Sequence, residues 1–563
     1  YRMSNVFQVG AKYLIILLFA LFTYFSYRVQ QDRPEETKRG KYVVQVVLVF
    51  LVHALAFANI ILNRDQMNGV TGVQIMLLYA AQALYLAFML VVLARIVNLN
   101  RGLNNVMCMM LCVGFFIQTR LSFSVSVRMM IYLAAATVIF LIFQIIYKLV
   151  SVMHRLTWAY CAVSLALLLA VFAFASLTKG AKISIDLGFI SIQPFEFVKI
   201  LFVLFVAGAF NKANNLKTVF YTAAIAAVHV LLLVACTELG TALILCVVYV
   251  LMLYVATKQF RYILIGAAGF IVACVAAYFL FAHVRVRVSA WLNPWADINN
   301  TGYQVTQSLF AIGSGGWLGT GLFRGDPEYV PLVSNDFVFS AISEEMGAAF
   351  SVFLILLCLC FTLMIFRIAI RIYKPFYKLT AFGLGSAYAF QVFLTIGGAL
   401  KFVPSTGINL PFISSGGSSL MASMLMVGIV QGLYVISEKD VEFEREIIED
   451  RIINGAMEDE ELQEQLSRKE PQEGMKSEKP RRSSRVVQVS ADKVETTADE
   501  DTVFNEPKVK SPVKIQIYNS ADDDGPGRGF VRKVNESIDE AEEGRRARAD
   551  DTVVITDTKV FRR

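Results

Sequence analysis

At 563 residues, 56% of them hydrophobic, with a mean hydropathy of +0.56, the chain is too apolar for a soluble enzyme and reads as a protein of many membrane spans. Its formal charge of +7 sums two unlike parts: only thirteen of the 45 Asp and Glu residues precede Glu438, so a basic apolar region is followed by an acidic tail. That division gives no support to a nucleic-acid partner, because the Lys/Arg excess of cytoplasmic loops in membrane proteins accounts for the basic part.

A helix crosses the bilayer core with about 20 apolar residues. The sequence predicts thirteen such runs, at 12–28, 43–62, 73–96, 103–119, 128–148, 157–177, 195–211, 217–236, 239–257, 261–283, 338–366, 378–400 and 417–437. The first ends at "YRVQQDRPEETKRGK" with no small-residue cleavage site, so a cleavable signal peptide is not expected. The segments "YRVQQDRPEETKRGK", "ARIVNLNR", "KLVSVMHR", "NKANNLK", "KQFR" and "RIAIRIYKPFYK" are basic and alternate along the chain, which assigns them to the cytoplasm. The loops at 178–194, 284–337 and 401–416 then face outward, and the tail faces inward. The eight cysteines fall almost entirely inside apolar runs, without zinc-ligand spacing, and read as small apolar filler. The tail opens with a mixed-charge segment expected to be a solvated helix; beyond Pro471 it lacks the apolar content to fold. No internal repeat is visible.

Ionisable residues at membrane depth are costly, so each is a candidate functional group. Glu196 and Lys199, three apart at a helix start, are spaced to pair. Glu238 falls in a tight break between two helices, where it either caps or makes a buried bond. The long outward loop contributes Arg285, Arg287 and Arg324, whose planar forks suit phosphate oxygens, although loop arginines also serve lipid headgroups. Its "GSGGWLGTG" lacks the Lys-Ser/Thr ending of a nucleotide phosphate loop; its glycines are expected to allow tight turns and close backbone approach. The stretch "VSNDFVFSAISEEMG" brings Asp336, Glu344 and Glu345 to the start of a membrane helix. With that helix beginning near Asn335, Asp336 lies in its first turn, where a cap and a catalytic carboxylate are both open readings. Glu344 then lies about 80° round the helix and about 12 Å deeper, able to face the same cavity, whereas Glu345 points away and is expected to pair elsewhere in the bundle. "KFVPSTGINLPFISSGGSSLMASM" reads as a re-entrant loop lining a cavity. No histidine or serine sits in a hydrolase motif.

Five segments in this order, "GAKISIDLGFISIQPFEFVK", "TELGTALI", "NPWADINNTGYQVTQSLFAIGSGGWLGTGL", "VSNDFVFSAISEEMG" and "VPSTGINLPFISSGGSS", resemble the SEDS family of cell-wall polymerases, the RodA, FtsW and SpoVE kind. The sequence departs from that pattern where Asn335 replaces the usual Thr and Ser415 the usual Tyr. Phe195 likewise replaces Ser, and Thr237-Glu238 replaces Pro-Asp. The resemblance implies an all-α polytopic membrane protein, with extra helices at 1–102, a ten-helix core at 103–437 and a charged, largely disordered cytoplasmic tail at 438–563.

It also implies a peptidoglycan glycosyltransferase of the bacterial cell membrane, with lipid II as donor and acceptor. Asp336 matches the family's catalytic aspartate. Lys182, Arg285, Arg287, Lys401 and Glu344 are candidate substrate contacts. A magnesium or manganese ion is compatible with the chemistry, although the sequence shows no metal cage. The resemblance further implies a class B penicillin-binding transpeptidase as partner, with division or elongation proteins recruited by the tail. A lipid II flippase is the competing reading, since intramembrane acids and a polar cavity suit transport too.

Overall fold

The computed structural model describes residues 2–31, 35–67, 69–145, 153–174, 177–178, 181–182, 185–186, 191–212, 215–453, 515–517 and 553–555. Each of the thirteen apolar runs holds a helix. Three precede the core: α1 (Arg2–Val29), α2 (Glu35–Leu62) and α3 (Gly72–Ile96), the last containing a π turn at Phe88–Val92. Then follow α4 (Arg101–Leu121), α5 (Phe123–Ile145), α6 (Thr157–Phe174), α7 (Phe195–Lys212), α8 (Leu216–Ala235), α9 (Leu239–Thr257) and α10 (Arg261–Leu280). Eleven of the thirteen are long and apolar enough to span a membrane; of the other two, α6 is short and α7 carries Glu196, Lys199 and Lys212 within its 18 residues. Most are apolar around their whole circumference, as a helix facing lipid on one side and protein on the other must be.

The segment expected as one long loop at 284–337 instead contains two helices, α11 (Ala282–Leu292) and α12 (Tyr303–Gly315). The alternating "VRVRV" of α11 carries a period of two, which conceals its helical conformation in the sequence. The core closes with α13 (Val338–Arg371), α14 (Pro375–Ala399) and α15 (Gly417–Ile453). The loop at 178–194 holds two short antiparallel pairs, Leu177–Thr178 with Ala181–Lys182 and Ile185–Asp186 with Ser191–Ile192. Helix α15 continues through the start of the tail, in keeping with the expected helix there. Residues 479–563 cluster as a separate unit, in which Ile515–Ile517 pairs in parallel with Val553–Ile555. The disorder expected of the remaining tail falls outside the described residues.

Helix α4 is the hub, buried from Gly102 to Arg120. The three preceding helices dock on the core through polar groups that hydrocarbon would leave unsatisfied. The Asn105 amide donates to Gln45 Oε1 (3.0 Å), and the Gln45 amide donates to Ser26 Oγ (2.9 Å). Gln82 donates to Ser126 Oγ (3.1 Å), which also bonds Thr119 (2.8 Å). Phe19 of α1 stacks on Phe350 of α13 with centroids 4.2 Å apart.

Helix α13 is broken rather than continuous. Gly347 has φ 86° and ψ 170°, separating a short half that begins at Val338 from a long half that ends at Arg371. The glycine-rich segment after α12 lies against the break and fills its open hydrogen bonds. Thr320 and Gly321 N–H donate to the Glu344 and Glu345 carbonyls (2.9 and 2.8 Å), and Ala348 and Ala349 N–H donate to Gly316 and Trp317 (2.9 and 3.0 Å). A Cβ at Gly315, Gly319 or Gly347 would strike the facing backbone, so the close approach expected of the glycine-rich segment is realised at Gly315 and Gly319.

Glu345, 1% exposed, is bound by Arg120 of α4 through Nε (2.8 Å) and by the Phe323 N–H (3.0 Å). Arg120 also donates to Glu328 and to the Gly325 carbonyl, both at 3.2 Å, and lies over the Phe323 ring. The pairing expected for Glu345 therefore has its partner. Arg120→Leu should strand a buried carboxylate and destabilise the protein by about 3 kcal/mol. Thermal unfolding in detergent checks this: the single variant melts early, and Arg120→Leu with Glu345→Leu recovers most of the loss.

Candidate active site

Asp336 is 9% exposed and lies in a turn that precedes α13. The helix begins at Val338, and the capping position belongs to Phe337, which makes no side-chain cap. The capping reading of Asp336 is thus overturned. Its assumed angular relation to Glu344 fails as well, because the two residues do not share a helix. The chain around Asp336 is held by the loop between α14 and α15. Ser415 N–H donates to the Ser334 carbonyl (2.9 Å), and Gln118 bridges the carbonyls of Ser334 (2.9 Å) and Ile413 (3.0 Å). Ser414 Oγ donates to the Asn335 carbonyl, and Ser415 Oγ to Asn335 Oδ1. Two of the departures noted in the sequence, Asn335 and Ser415, therefore touch and form one bond.

Arg287 projects from α11 toward the same loop, with Nη1 donating to the Ser405 carbonyl at 2.9 Å. Two residues on, Gly407 has φ +74°. A Cβ placed there would lie 3.9 Å from both terminal nitrogens of Arg287 and 3.9 Å from Asp336 Oδ2. A carboxylate and a guanidinium thus both lie beside the methyl-sized slot that Gly407 leaves.

Behind this loop Glu196 and Lys199 form the expected pair at 2.6 Å. Lys199 also donates to Gln391 Oε1 (2.6 Å), and the Gln391 amide donates to the Asn409 carbonyl (2.9 Å), so the pair braces the loop. Glu238 sits just before α9, after Thr237 in a left-handed conformation. Burial pushes its carboxyl up to about 7; Glu196 adds to the rise, while Arg287 and Lys199 oppose it.

Arg285, Lys401 and Glu344 make contacts of their own. Arg285 donates to the Phe279 carbonyl (2.7 Å) at the end of α10. Lys401 adopts φ 58°, and its carbonyl accepts from Trp291 Nε1 (3.1 Å). Glu344 accepts from the Asp326 N–H (2.9 Å) and so holds the loop after the glycine segment. Lys182 pairs with Leu177 through its backbone; its side chain lies outside the described residues. The structure therefore brings Asp336 and Arg287 together. Sequence reasoning missed the slot at Gly407, for which the left-handed glycine between Pro404 and Pro411 was the available signal. Among the described residues no three His, Cys, Asp or Glu side chains converge as metal ligands, so those residues do not by themselves form a cage for magnesium or manganese.

Chemically, a carboxylate beside a fixed cation can accept a proton from a hydroxyl while the cation steadies a departing phosphate. Known proteins carry the same framework. Residues 90–439 match the FtsW/RodA/SpoVE family model, described as a cell cycle protein. That match begins inside α3. The chain is 38% identical over 267 residues to the peptidoglycan glycosyltransferase RodA of Mycobacterium bovis, covering 45% of this chain and 57% of that one. It is 35% identical over 280 residues to the probable peptidoglycan glycosyltransferase FtsW of Geobacter metallireducens, covering 47% and 73%. The match thus spans little more than half the length of the mycobacterial relative. A chain from a solved peptidoglycan synthase complex, in work on the coordination of polymerization and crosslinking, overlays with a TM-score of 0.52 at 26% identity, covering 60% of this chain and 98% of that one.

Two outcomes are expected. A double-mutant cycle with Asn335→Ala and Ser415→Ala should show coupling of about 1 kcal/mol in thermal stability, whereas additive losses would show the bond to be energetically idle. A carboxyl that binds its proton more tightly folded than unfolded loses stability as pH rises from about 4.5 to about 7. Glu238→Gln should therefore flatten the melting temperature across that window.

Proposed function

The chain belongs to the FtsW/RodA/SpoVE family, and on that premise we propose that it polymerises peptidoglycan glycan strands from lipid II. The observation that carries the reading is the slot at Gly407, with Asp336 and Arg287 both beside it. In the proposed reaction the GlcNAc 4-hydroxyl of one lipid II attacks the MurNAc anomeric carbon of another. Asp336 takes the hydroxyl proton as the new C–O bond forms. The anomeric C–O bond to phosphate breaks, and undecaprenyl pyrophosphate leaves with the bonding electrons. One displacement inverts the centre, turning an α-linked donor into a β-1,4 product.

Arg287 suits the pyrophosphate because its fork meets two oxygens and its charge is already fixed by the Ser405 carbonyl. A divalent ion, if present, would add charge at the phosphates; among the described residues Arg287 is a cation beside the slot. Glu344 serves the reaction through the loop it holds rather than through the reacting atoms. The alternating basic segments support an outward-facing site and a cytoplasmic tail. A class B penicillin-binding transpeptidase is the proposed partner for cross-linking, and the tail is a proposed docking segment for division or elongation proteins.

The purified protein in liposomes with lipid II tests this reading. Glycan polymer is expected, made about 100-fold more slowly by Arg287→Ala. Headgroup translocation without any polymer, with or without the transpeptidase, would support the flippase reading instead.

A further inference from the structure

Lys12 falls inside the first membrane span, Val6–Val29. A lysine near the end of such a helix ordinarily snorkels, its ammonium extended to water. Lys12 turns inward instead: it is 8% exposed, and its Nζ donates to the Gly319 carbonyl at 2.8 Å. The rest of α1 follows α13. Phe19 stacks on Phe350. The Tyr27 hydroxyl and the amide of Gln30, just beyond α1, donate to the Leu356 and Cys360 carbonyls (2.8 and 3.1 Å). One helix therefore touches both the long half of α13 and the glycine segment that fills its break.

The segment needs such a hold. Gly319 (φ +74°) and Gly321 (φ +106°) flank Thr320, and glycines have the most conformational freedom to lose on ordering. The peptide between Gly319 and Thr320 is bonded at both ends. Its carbonyl accepts from Lys12, and its N–H donates to the Glu344 carbonyl at 2.9 Å. A charged donor polarises a peptide and so strengthens the bond that its N–H gives. A Cβ at Gly321 would lie 3.7 Å from Lys12 Cδ, so the lysine stem also follows the segment. A second tie lies close by: Arg324 Nη2 donates to Gln8 Oε1 (3.2 Å), and the Gln8 amide donates to Asn63 Oδ1 after α2 (2.9 Å). Both ties come from residues that precede the family match at 90–439. From Glu344 the short half of α13 runs back to Val338, two residues after Asp336.

We propose that Lys12, supported by Gln8, is a positioning residue for the transfer reaction. By anchoring the Gly319–Thr320 peptide it holds the short half of α13, and with it the Asp336 turn, in working geometry. It touches no reacting atom, so it acts on the rate of transfer and not on the capture of substrate. The role in transfer rests on the glycosyl-transfer reading; the anchoring does not.

The test uses the full chain in liposomes with lipid II, comparing wild type, Lys12→Met, Lys12→Arg and Gln8→Ala. Rates are expressed per folded molecule, and hydrogen exchange is followed on the same samples. Lys12→Met should lower kcat about tenfold and leave KM within about twofold. Lys12→Arg, which keeps a charged donor, should recover most of the rate. Exchange at Thr320 and Gly321 should quicken about tenfold in Lys12→Met, with residues 351–371 of α13 unchanged. Gln8→Ala alters only the end of α1 and should show the same signature at about threefold, which keeps the test decisive if Lys12→Met fails to fold. Unchanged exchange in the variants that fold overturns the anchoring. Faster exchange with unchanged kcat, or a loss carried by KM, overturns the positioning role. A wild type that makes no polymer is a failure of the glycosyl-transfer reading; exchange then still decides the anchoring, and lipid II translocation is the rate compared across the same variants.

Discussion

The buried pair of Arg120 and Glu345 is the contact on which the site's framework depends. A carboxylate at this depth persists only where a cation and fixed N–H groups meet it, and Arg120 with the Phe323 N–H do so. Because Arg120 rises from the hub helix, the pair fixes the short half of α13 against the centre of the bundle. The glycine segment then completes the broken helix with its own backbone, in place of the bonds that Gly347 interrupts. Lys12 of α1 reaches this same segment, donating to the Gly319 carbonyl at 2.8 Å, so the preceding helices brace the break from outside.

From this frame the site follows by short links. The turn before α13 is bonded at Ser334 and Asn335 to the loop at 401–416, and that loop is bonded in turn to Arg287, Gln391 and Gln118. Asp336 is thus positioned by its neighbours' backbone and side chains, without being part of a helix. The bond between Asn335 and Ser415 joins two of the residues that depart from the pattern the sequence resembles.

The helices were legible because apolar length is a strong signal: all thirteen runs hold a helix, eleven of them long and apolar enough to span a membrane. Gly315 and Gly319 of "GSGGWLGTG" were legible as points of close approach, since a Cβ there would strike the facing backbone. Helix α11 was not, because "VRVRV" alternates like a strand, and the break at Gly347 was hidden inside a continuous apolar run. Arg120 was missed for a different reason: it ends an apolar run 225 residues from its partner, and no local pattern can reveal such a contact. Asp336 was found, but the helix starts about three residues later than expected, enough to turn a loop carboxylate into an apparent helix cap.

The account rests on Asp336 acting as a base and not as a fastening. Asp336→Asn keeps the shape and removes the proton acceptor. Lipid II binding and glycan synthesis should be measured on the same preparation, in the same bilayer. The account predicts that lipid II still binds near its wild-type affinity while polymer formation falls by at least about 100-fold. Polymer made at the wild-type rate by Asp336→Asn would contradict it.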